Sequence, residues 1–405
     1  MQHGWQRSAG SAGSEGQEKS ATEQQEQRRV IRATPYVLPD PTTIPQRDWL
    51  YGTHLIRAFA SATFAPGAAG KTSLKLVEAI AMATGRPLLG IRPKRRCRVW
   101  YWNGEDPQEE IDRRIGAICI HYRISREELD GWLFVDTGRR MKIVIASYDP
   151  RSGNKVAEPV VNELIETIVE NKIDVFFVDP FVKSYRVAEN DNGAMDMVVT
   201  QWVDIAEIAN IAIELVHHTK KLGGTEANVE SGRGAGSVAA AMRSVDIVNK
   251  MLAEEGKKIG IEGFESRHYF SVFDDKPNMT ISPEAKTWYR LVPISLGNGP
   301  DGGDSIGVAT SWKWPDPLAG ITGADFDRAA AAIRGGNWRK DPQAKAWVGR
   351  PIAQALNIDL DSKAGKAKVT QLIKFWLNSA SLVEIEAEDA NRQMRKFVRV
   401  AGDED

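Results

Sequence analysis

The stretch AFASATFAPGAAGKTSLKL, residues 58–76, decides the fold. It begins with a β-branched and aromatic run, passes through a glycine-rich turn, and ends where Lys71 and Thr72 open an amphipathic segment. A helix N-terminus presents free backbone N–H groups and the positive end of the helix dipole, which together bind phosphate. The stretch therefore predicts a strand, a phosphate-binding loop and a helix.

The loop follows the nucleotide-binding pattern G-x-x-x-x-G-K-[ST] with one departure, because Ala65 occupies the first glycine position. The lysine of this pattern reaches the β- and γ-phosphates, and its hydroxyl residue binds Mg²⁺. A loop that merely places Gly-Lys-Thr before a helix is the competing interpretation, and the strand pattern before it disfavours that reading. We predict an ATP site with Mg²⁺, whose nucleotide-binding residues are Pro66, Gly67, Ala68, Ala69, Gly70, Lys71, Thr72 and Ser73.

Short apolar runs alternate with helical segments along the chain after this loop. Four such runs cover residues 97–104, 132–137, 173–181 and 211–219. Buried strands that alternate with helices predict an α/β fold with a mainly parallel sheet. Strand-like runs after residue 242 look antiparallel and are expected to extend the same sheet. Ligands of such sheets bind at the carboxyl ends of the strands, so polar residues there are site candidates.

Three strand ends carry such residues. Glu105 follows the run VWYWNG and is a candidate to activate the water that attacks the γ-phosphate, although Glu105 and Asp106 also suit the capping of a helix. Asp179 ends the run DVFFVD and is predicted to bind Mg²⁺ together with Thr72, although a strand can also end at a simple Asp-Pro turn. His217 and His218 end the next run, and we assign the contact with the γ-phosphate to His218.

Two arginines follow in a Gly/Ser-rich loop and just after it. Arg233 could reach across a gap to a phosphate, and Arg243 comes ten residues later. An arginine supplied by a neighbouring subunit stabilises charge in the transition state of phosphoryl transfer. From the residues alone, a contact of Arg233 with a backbone carbonyl or solvent is the stronger interpretation.

Composition indicates the domain organisation of the chain and the cellular compartment in which it works. Residues 1–40 are rich in Gly, Ser, Gln and Glu and predict a disordered tail, followed by an ATPase domain over 41–299 and a Gly/Asp-rich linker over 300–320. The formal net charge is −1, so a contact with nucleic acid must come from local patches. Two cysteines and no long apolar run predict a cytoplasmic protein without membrane contact.

The C-terminal part, 321–405, shows three helical segments and two strand-like runs, a pattern typical of a small winged-helix-like domain. Between residues 335 and 380, eight basic and three acidic side chains leave a local net charge of +5. The segment KAKVTQLIKFWL, residues 366–377, would be the recognition helix, with Trp376 and Leu377 buried. DNA binding and a protein-interaction role both remain open for this domain.

Taken together, residues 49–299 resemble the RepA-type family of RecA-fold ATPases, hexameric replicative helicases of plasmids and related mobile elements. The resemblance rests on the phosphate loop, whose Ala-Pro-Gly start is usual in the family, and on four further motifs. These are VWYWNGEDPQEEIDRRIGAI (99–118), VDPFVKSYRVAENDNGAMD (178–196), IELVHHTKK (213–221) and SGRGAGSVAAAMRSV (231–245).

The resemblance implies that Glu105 is the catalytic base, His218 the γ-phosphate sensor, and Arg233 the finger that enters a neighbour's site, with Arg243 as a second finger candidate. It also implies a homo-hexamer with single-stranded DNA in a central channel, and a replication initiator or primase is considered as a partner. The loops 183–193 and 219–232 would line that channel, where Lys183, Arg186, Lys220 and Lys221 track phosphates.

These observations predict an ATP-driven helicase or translocase that acts on single-stranded DNA. The first alternative is an ATP-dependent DNA-binding loader or switch that hydrolyses ATP without unwinding. A small-molecule kinase lacks an obvious acceptor pocket or lid in this sequence. A recombinase-like filament is a further alternative, because the same fold also forms open helices.

Overall fold

The computed structural model describes residues 33–219, 225–231, 235–276, 279, 286–389 and 392–402. The chain divides into two compact units, residues 1–46 and residues 47–405. The described part of the first unit is exposed and holds one short 3-10 helix, Pro41–Thr43, capped by Asp40. The ATPase domain was expected to begin at residue 41, whereas the second unit begins at residue 47. The predicted disorder of residues 1–32 lies outside the described residues.

The described helices and strands of the second unit are numbered along the chain. The α-helices are α1 (Lys71–Thr84), α2 (Gln108–Tyr122), α3 (Glu158–Glu170), α4 (Asn192–Ile208), α5 (Ala235–Ala241), α6 (Ala253–Ile259), α7 (Gly323–Arg334), α8 (Gly349–Ala355) and α9 (Lys363–Asn378). The strands are β1 (Trp49–Tyr51), β2 (Leu55–Ile56), β3 (Ala60–Ala65), β4 (Val99–Asn103), β5 (Leu133–Thr137), β6 (Ala146–Asp149), β7 (Gly153–Val156), β8 (Val175–Asp179), β9 (Tyr185–Arg186), β10 (Ala212–His218), β11 (Val245–Lys250), β12 (Tyr269–Asp274), β13 (Thr287–Ser295), β14 (Ser305–Trp312), β15 (Trp338–Arg339), β16 (Leu382–Glu388) and β17 (Met394–Val400). Short 3-10 helices cover Phe181–Ser184, Val229–Ser231, Glu265–His268 and Pro300–Gly302.

A nine-stranded sheet in the order β14-β13-β12-β11-β3-β10-β8-β4-β5 is the centre of this unit. The strands from β11 to β5 in this order are parallel, so their carboxyl ends lie along one edge of the sheet. The chain therefore has the α/β fold of a RecA-like P-loop NTPase, as predicted. All four apolar runs chosen from the sequence are strands of this parallel part.

Alternation of side chains along the strands explains why helices cover both faces of the sheet. On β8, Val175 and Phe177 pack with residues of α1 and α2, whereas Phe176 and Val178 pack with residues of α3 and α4. Every residue of β8 is buried, which is what a strand between two helical layers requires. The residues of α1 are almost all buried, so the helix that follows the phosphate loop is anchored in the core.

The antiparallel extension of the sheet is longer than predicted. β12, β13 and β14 are antiparallel to their neighbours. β11, which also looked antiparallel in sequence, pairs antiparallel with β12 and parallel with β3. The predicted linker over 300–320 is wrong in its first half, because β14 lies there and pairs with β13 along its whole length. The Gly/Asp-rich run that suggested a linker forms the turn of this hairpin, where Gly297 donates a backbone hydrogen bond to Gly302.

The C-terminal residues form a hydrophobic core of their own, separate from the core of the central sheet. Helices α7, α8 and α9 pack with the three-stranded sheet β15-β17-β16 around buried side chains that include Trp347 and Trp376. The three helices and the hairpin lie where the sequence predicted them, and the two-residue strand β15 is an addition. The predicted winged-helix-like character describes this order of elements and remains a prediction.

Candidate nucleotide site

The phosphate loop connects β3 to α1 at the carboxyl edge of the sheet. Gly70 has φ +89°, and a Cβ atom there would lie 3.0 Å from the ring of Phe270, so this position requires glycine. No side chain caps α1, so the first N–H groups of the helix have no side-chain acceptor. Gly67 and Ala68 are exposed, whereas Lys71 is only 8% exposed. This cradle of uncapped amides beside a buried lysine fits a bound phosphate chain.

One residue assigned to the cradle has another task. The Ser73 hydroxyl donates a hydrogen bond to the carbonyl of Gly307 and accepts one from the backbone N–H of Ala309, both at 2.9 Å. These bonds join α1 to β14, a strand that the sequence did not reveal. The side-chain hydroxyl of Ser73 therefore supports the loop, and a contact of this residue with the nucleotide stays a prediction.

The predicted magnesium ligands lie side by side. The Thr72 hydroxyl donates to Asp179 Oδ2 at 2.9 Å, and the Tyr101 hydroxyl donates to the same oxygen at 2.6 Å. Burial and the nearby Asp179 carboxylate raise the pKa of Tyr101 well above its ordinary value, so it remains a hydrogen-bond donor. Asp179 is 2% exposed and points to the phosphate loop. A hydroxyl beside one carboxylate fits Mg²⁺, which binds few protein oxygens and fills its other positions with water and phosphate.

The candidate base lies on the next strand of the sheet. Asn103 ends β4 in register with Asp179, and its side-chain oxygen accepts the backbone N–H groups of Glu105 and Asp106 at 3.0 and 2.7 Å. Asn103 therefore shapes the loop that presents Glu105, a role that the sequence analysis missed although the Asn-Gly pair marked a turn. The Glu105 carboxylate is half exposed and lies 3.4 Å from the Lys183 ammonium.

Asp106 does not cap the helix that follows. Helix α2 begins at Gln108, with Pro107 at the capping position and no side-chain cap. The Asp106 carboxylate instead lies 3.5 Å from the Arg114 guanidinium, one and a half turns into the helix.

The two histidines at the end of β10 point to opposite faces of the sheet. His217 is buried against the rings of Phe64 and Phe181 in the core. His218 pairs in register with Ala65, the last residue of β3, and is only half-buried. Partial burial and the positive charge of Lys71 lower the pKa of His218, so it is neutral near pH 7. The structure thus places His218, and not His217, beside the phosphate loop.

One of the two arginine candidates lies among the described residues. Arg233 lies outside the described residues. Arg243 is exposed and precedes β11, whose Val245 pairs with Ala62 near the start of β3. Arg243 therefore lies toward the amino end of the parallel strands, away from the phosphate loop at their carboxyl ends.

A buried ionic cluster beneath the site was not predicted. The Lys75 ammonium, one turn after Lys71, lies 2.9 Å from Glu78, 3.2 Å from Glu214 and 3.9 Å from Asp246. His54 lies 3.4 Å from Glu78 and 3.9 Å from Asp246. This cluster connects α1 to β10 and β11, the strands beside the loop. In the sequence, the i,i+3 spacing of Lys75 and Glu78 is visible, but their pairing with Glu214, Asp246 and His54 is not.

The cluster sets the charge states of its members. Burial alone would lower the pKa of His54, but the carboxylates of Asp246 and Glu78 raise it to about 9. Burial would likewise raise the pKa of Glu78, but Lys75 and His54 bring it down to about 2. Burial raises the pKa of Asp246. At pH 7 the cluster therefore contains a charged histidine and a charged lysine inside the protein.

The fold and the loop together define a RecA-like P-loop NTPase. Residues 28–224, just under half of the chain, match the family model of an AAA domain. The match covers the phosphate loop, Glu105, Asp179 and His218. It supports ATP binding and ATPase activity of the AAA/RecA-like class, for which Mg²⁺ is the usual metal.

Two features are absent from the described residues. None of the helices described is long and apolar enough to cross a membrane. No group of three or more His, Cys, Asp and Glu side chains in the described ranges is arranged to hold a metal ion. A magnesium ion at Thr72 and Asp179 would therefore rely on the nucleotide and water for its remaining ligands.

Proposed function

We propose that this protein is an ATP-driven motor acting on single-stranded DNA, of the RepA-type hexameric helicase kind, in the replication of a plasmid, phage or integrated element. One observation carries the ATPase part of the proposal. The carboxyl ends of the neighbouring strands β3, β10, β8 and β4 bring Lys71, His218, Asp179 and Glu105 to one edge of the sheet. The DNA part rests on the sequence resemblance and on the loop that carries Lys183.

Each side chain has a chemical task in this proposal. The amides at the start of α1 and the Lys71 ammonium bind the phosphates and offset their charge. Thr72 and Asp179 would hold Mg²⁺, which supplies further charge neutralisation when it is bound. Glu105 accepts a proton from the attacking water, and neutral His218 donates a hydrogen bond to the γ-phosphate or the water.

Contact between Glu105 and Lys183 supports a link between hydrolysis and DNA. Lys183 belongs to the loop that was predicted to face the DNA, and its ammonium neighbours the candidate base. The ion pair occupies the carboxylate that would have to contact the attacking water. A DNA phosphate that binds the Lys183 ammonium would free the Glu105 carboxylate to contact the attacking water.

Subunit assembly completes the site in this proposal. Arg243 lies away from its own phosphate loop, and Arg233 was predicted to enter a neighbour's site. Closing a ring would bring one subunit's arginine to the next subunit's nucleotide, which makes hydrolysis depend on the contact between subunits. Electron microscopy would distinguish closed six-membered rings from the open filaments of a recombinase-like assembly.

The decisive experiment is the steady-state ATPase rate with and without single-stranded DNA, with Lys71→Ala as the blank. A strong stimulation by single strands that duplex DNA does not produce would support the motor and lead to unwinding assays. A rate that DNA leaves unchanged would contradict the motor and favour the loader or switch. Transfer of the phosphoryl group to a metabolite would instead indicate a kinase.

A further inference from the structure

A cleft of about 900 Å³ lies between the central sheet's extension and the C-terminal residues. One wall is the end of α6, and the other is one side of α9. The walls are held together at the base of the cleft, where Lys363 Nζ lies 2.9 Å from Glu262 Oε2 and the Gln371 amide donates to the carbonyl of Lys258. The cleft is therefore bounded by two helices in contact.

The lining of this cleft is basic. It contains five lysines and two glutamates, an excess of three positive charges. Lys363 is neutralised by Glu262, and Lys257 lies close enough to lower the pKa of that glutamate. Lys258, Lys366 and Lys374 are exposed and form no ion pair with any residue in the described part of the chain. Such a surface complements a polyanion.

Two aromatic side chains accompany the lysines. Phe375 is 44% exposed and lines the cleft. Trp314 lies on the opposite wall, where its ring packs on that of Trp288 at 4.9 Å between centroids, so Trp314 is fixed in place. One exposed and one partly exposed ring thus lie among lysines. Proteins use aromatic rings among basic residues to bind single strands, because bases stack on the rings while the lysines contact phosphates.

Duplex DNA does not fit this arrangement. A Cβ atom at Gly260, which follows α6, would lie only 2.6 Å from the backbone N of Ala364 on α9, so the two helices are in direct contact. The major groove is about 12 Å wide and admits one helix of about 10–12 Å diameter. With α6 against it, the first half of α9 cannot enter the groove. The predicted recognition helix is therefore not free for major-groove reading in this structure.

We propose that the cleft between α6 and α9 is a second binding site for single-stranded nucleic acid, outside the central channel. Lys366, Thr370, Lys374 and Asn378 are spaced four residues apart along one edge of α9 and line the cleft over about 18 Å, the length of several nucleotides. Lys258 faces them from the end of α6. This proposal rests on the proposed function only for its biological role, because the binding chemistry follows from these side chains themselves.

A neighbouring groove is a weaker candidate. It shares Thr370, Lys374 and Asn378 and continues toward the hairpin β16–β17. Its lysines Lys340 and Lys396, however, both pair with Glu384, so they have less charge to offer a phosphate. Among the described residues, the cleft between α6 and α9 therefore has more lysines without an ion pair than this groove has.

The test is fluorescence anisotropy of labelled dT20 and rU20 with the full chain, without nucleotide. We expect the double variant Lys366→Glu/Lys374→Glu to weaken binding at least tenfold and to reduce the slope of log K against log salt by about 1.4, or about 0.7 for each lost phosphate contact. Phe375→Ala should weaken binding at least fivefold through lost stacking. The matched control is Lys345→Glu, an exposed lysine of the same module outside the cleft, which should change binding less than twofold.

Crosslinking separates this site from the channel. A photoreactive phenylalanine analogue at Phe375 should crosslink to dT20, whereas the same analogue at the exposed Tyr148 should not. Preference for dT20 over rU20, or the reverse, identifies the strand. No crosslink at Phe375 together with DNA-stimulated ATPase would overturn the cleft and leave the motor intact. A crosslink at Phe375 with an ATPase that ignores DNA would support the cleft and contradict the motor. Displacement of dT20 by poly-L-glutamate at equal potency would overturn the proposal in favour of an acidic protein segment.

Discussion

The Glu105 side chain is exposed at the sheet edge and lies 3.4 Å from the Lys183 ammonium. We expect Glu105→Gln to bind ATP with little change and to lower the ATPase rate by about 10²–10³-fold, because an amide does not accept the proton of the attacking water. The matched control is Glu109→Gln, an exposed glutamate in the first turn of α2. A Glu105→Gln variant with the wild-type rate would show that another group is the base.

Lys183 gives a second prediction at the same scale. Lys183→Ala should raise the basal ATPase rate a few-fold and reduce the additional stimulation by single-stranded DNA, since Glu105 then loses the partner from which DNA would release it. The measurement is the ratio of the rates with and without DNA. An unchanged ratio would contradict the link between Lys183 and DNA.

At the scale of elements, α1 is joined to β10 by the buried ammonium of Lys75 and the carboxylate of Glu214. Glu214 also accepts hydrogen bonds from the Ser61 and Thr63 hydroxyls on β3, so three elements meet at this carboxylate. Removal of one partner of a buried ion pair leaves an uncompensated charge and costs about 3–5 kcal/mol. The cluster therefore makes the position of the phosphate loop depend on charges in the core.

We expect Lys75→Met to lower the free energy of unfolding by about 3–5 kcal/mol, and Lys75→Met/Glu214→Gln to recover part of that loss. Urea unfolding followed by circular dichroism measures both. The control is Arg328→Met, which removes an exposed pair with Asp325 and should cost less than about 1 kcal/mol. Equal losses for Lys75→Met and Arg328→Met would contradict the importance of the buried cluster.

The same cluster predicts a pH dependence of stability. The folded state raises the pKa of His54 from about 6.5 to about 9, so it binds a proton that the unfolded chain releases between these values. The stabilisation is fully present below pH 6.5 and is lost as the pH rises toward 9. We therefore expect the free energy of unfolding to fall between pH 6.5 and 9, and to fall less in His54→Gln. Parallel pH profiles of the two proteins would refute this origin.

At the scale of the whole molecule, the contact between α6 and α9 joins the C-terminal module to the extended sheet. Gly260 and Gly263 both have positive φ, +77° and +64°, so a side chain strains the backbone at either position. Only at Gly260 would a Cβ atom also meet α9, whereas nothing lies within 4 Å at Gly263. Alanine variants of these two glycines therefore separate the effect of backbone strain from the effect of the contact between α6 and α9.

We expect Gly260→Ala to lower the melting temperature further than Gly263→Ala and to increase proteolytic cleavage between β14 and α7. The difference between the two variants measures the contact itself. Identical melting temperatures and cleavage rates would mean that the module is not held to α6 in solution.

Local patterns in the chain were sufficient for the parallel strands, the phosphate loop, and the placement of Lys71, Asp179, Glu105 and His218 at one edge. Each of these features follows from short-range rules, since buried runs form strands and parallel strands end at a common edge. Helical segments and strand-like runs in the sequence likewise located the three C-terminal helices and their hairpin. Roles for the site residues stay predictions until they are measured.

Features that depend on partners far away in the chain came only from the folded molecule. The Ser73 hydroxyl bonds to β14, a strand more than two hundred residues later that lies in the region predicted to be a linker. Lys75, Glu214 and Asp246 lie far apart in the sequence, and only the packing of α1 on β10 and β11 brings their charges together. The docking of α9 on α6 likewise depends on a long-range contact. Charge pairing and packing between residues so far apart in the chain leave no periodic pattern in the sequence. They depend on which elements meet in the folded molecule and not on the spacing of residues along the chain.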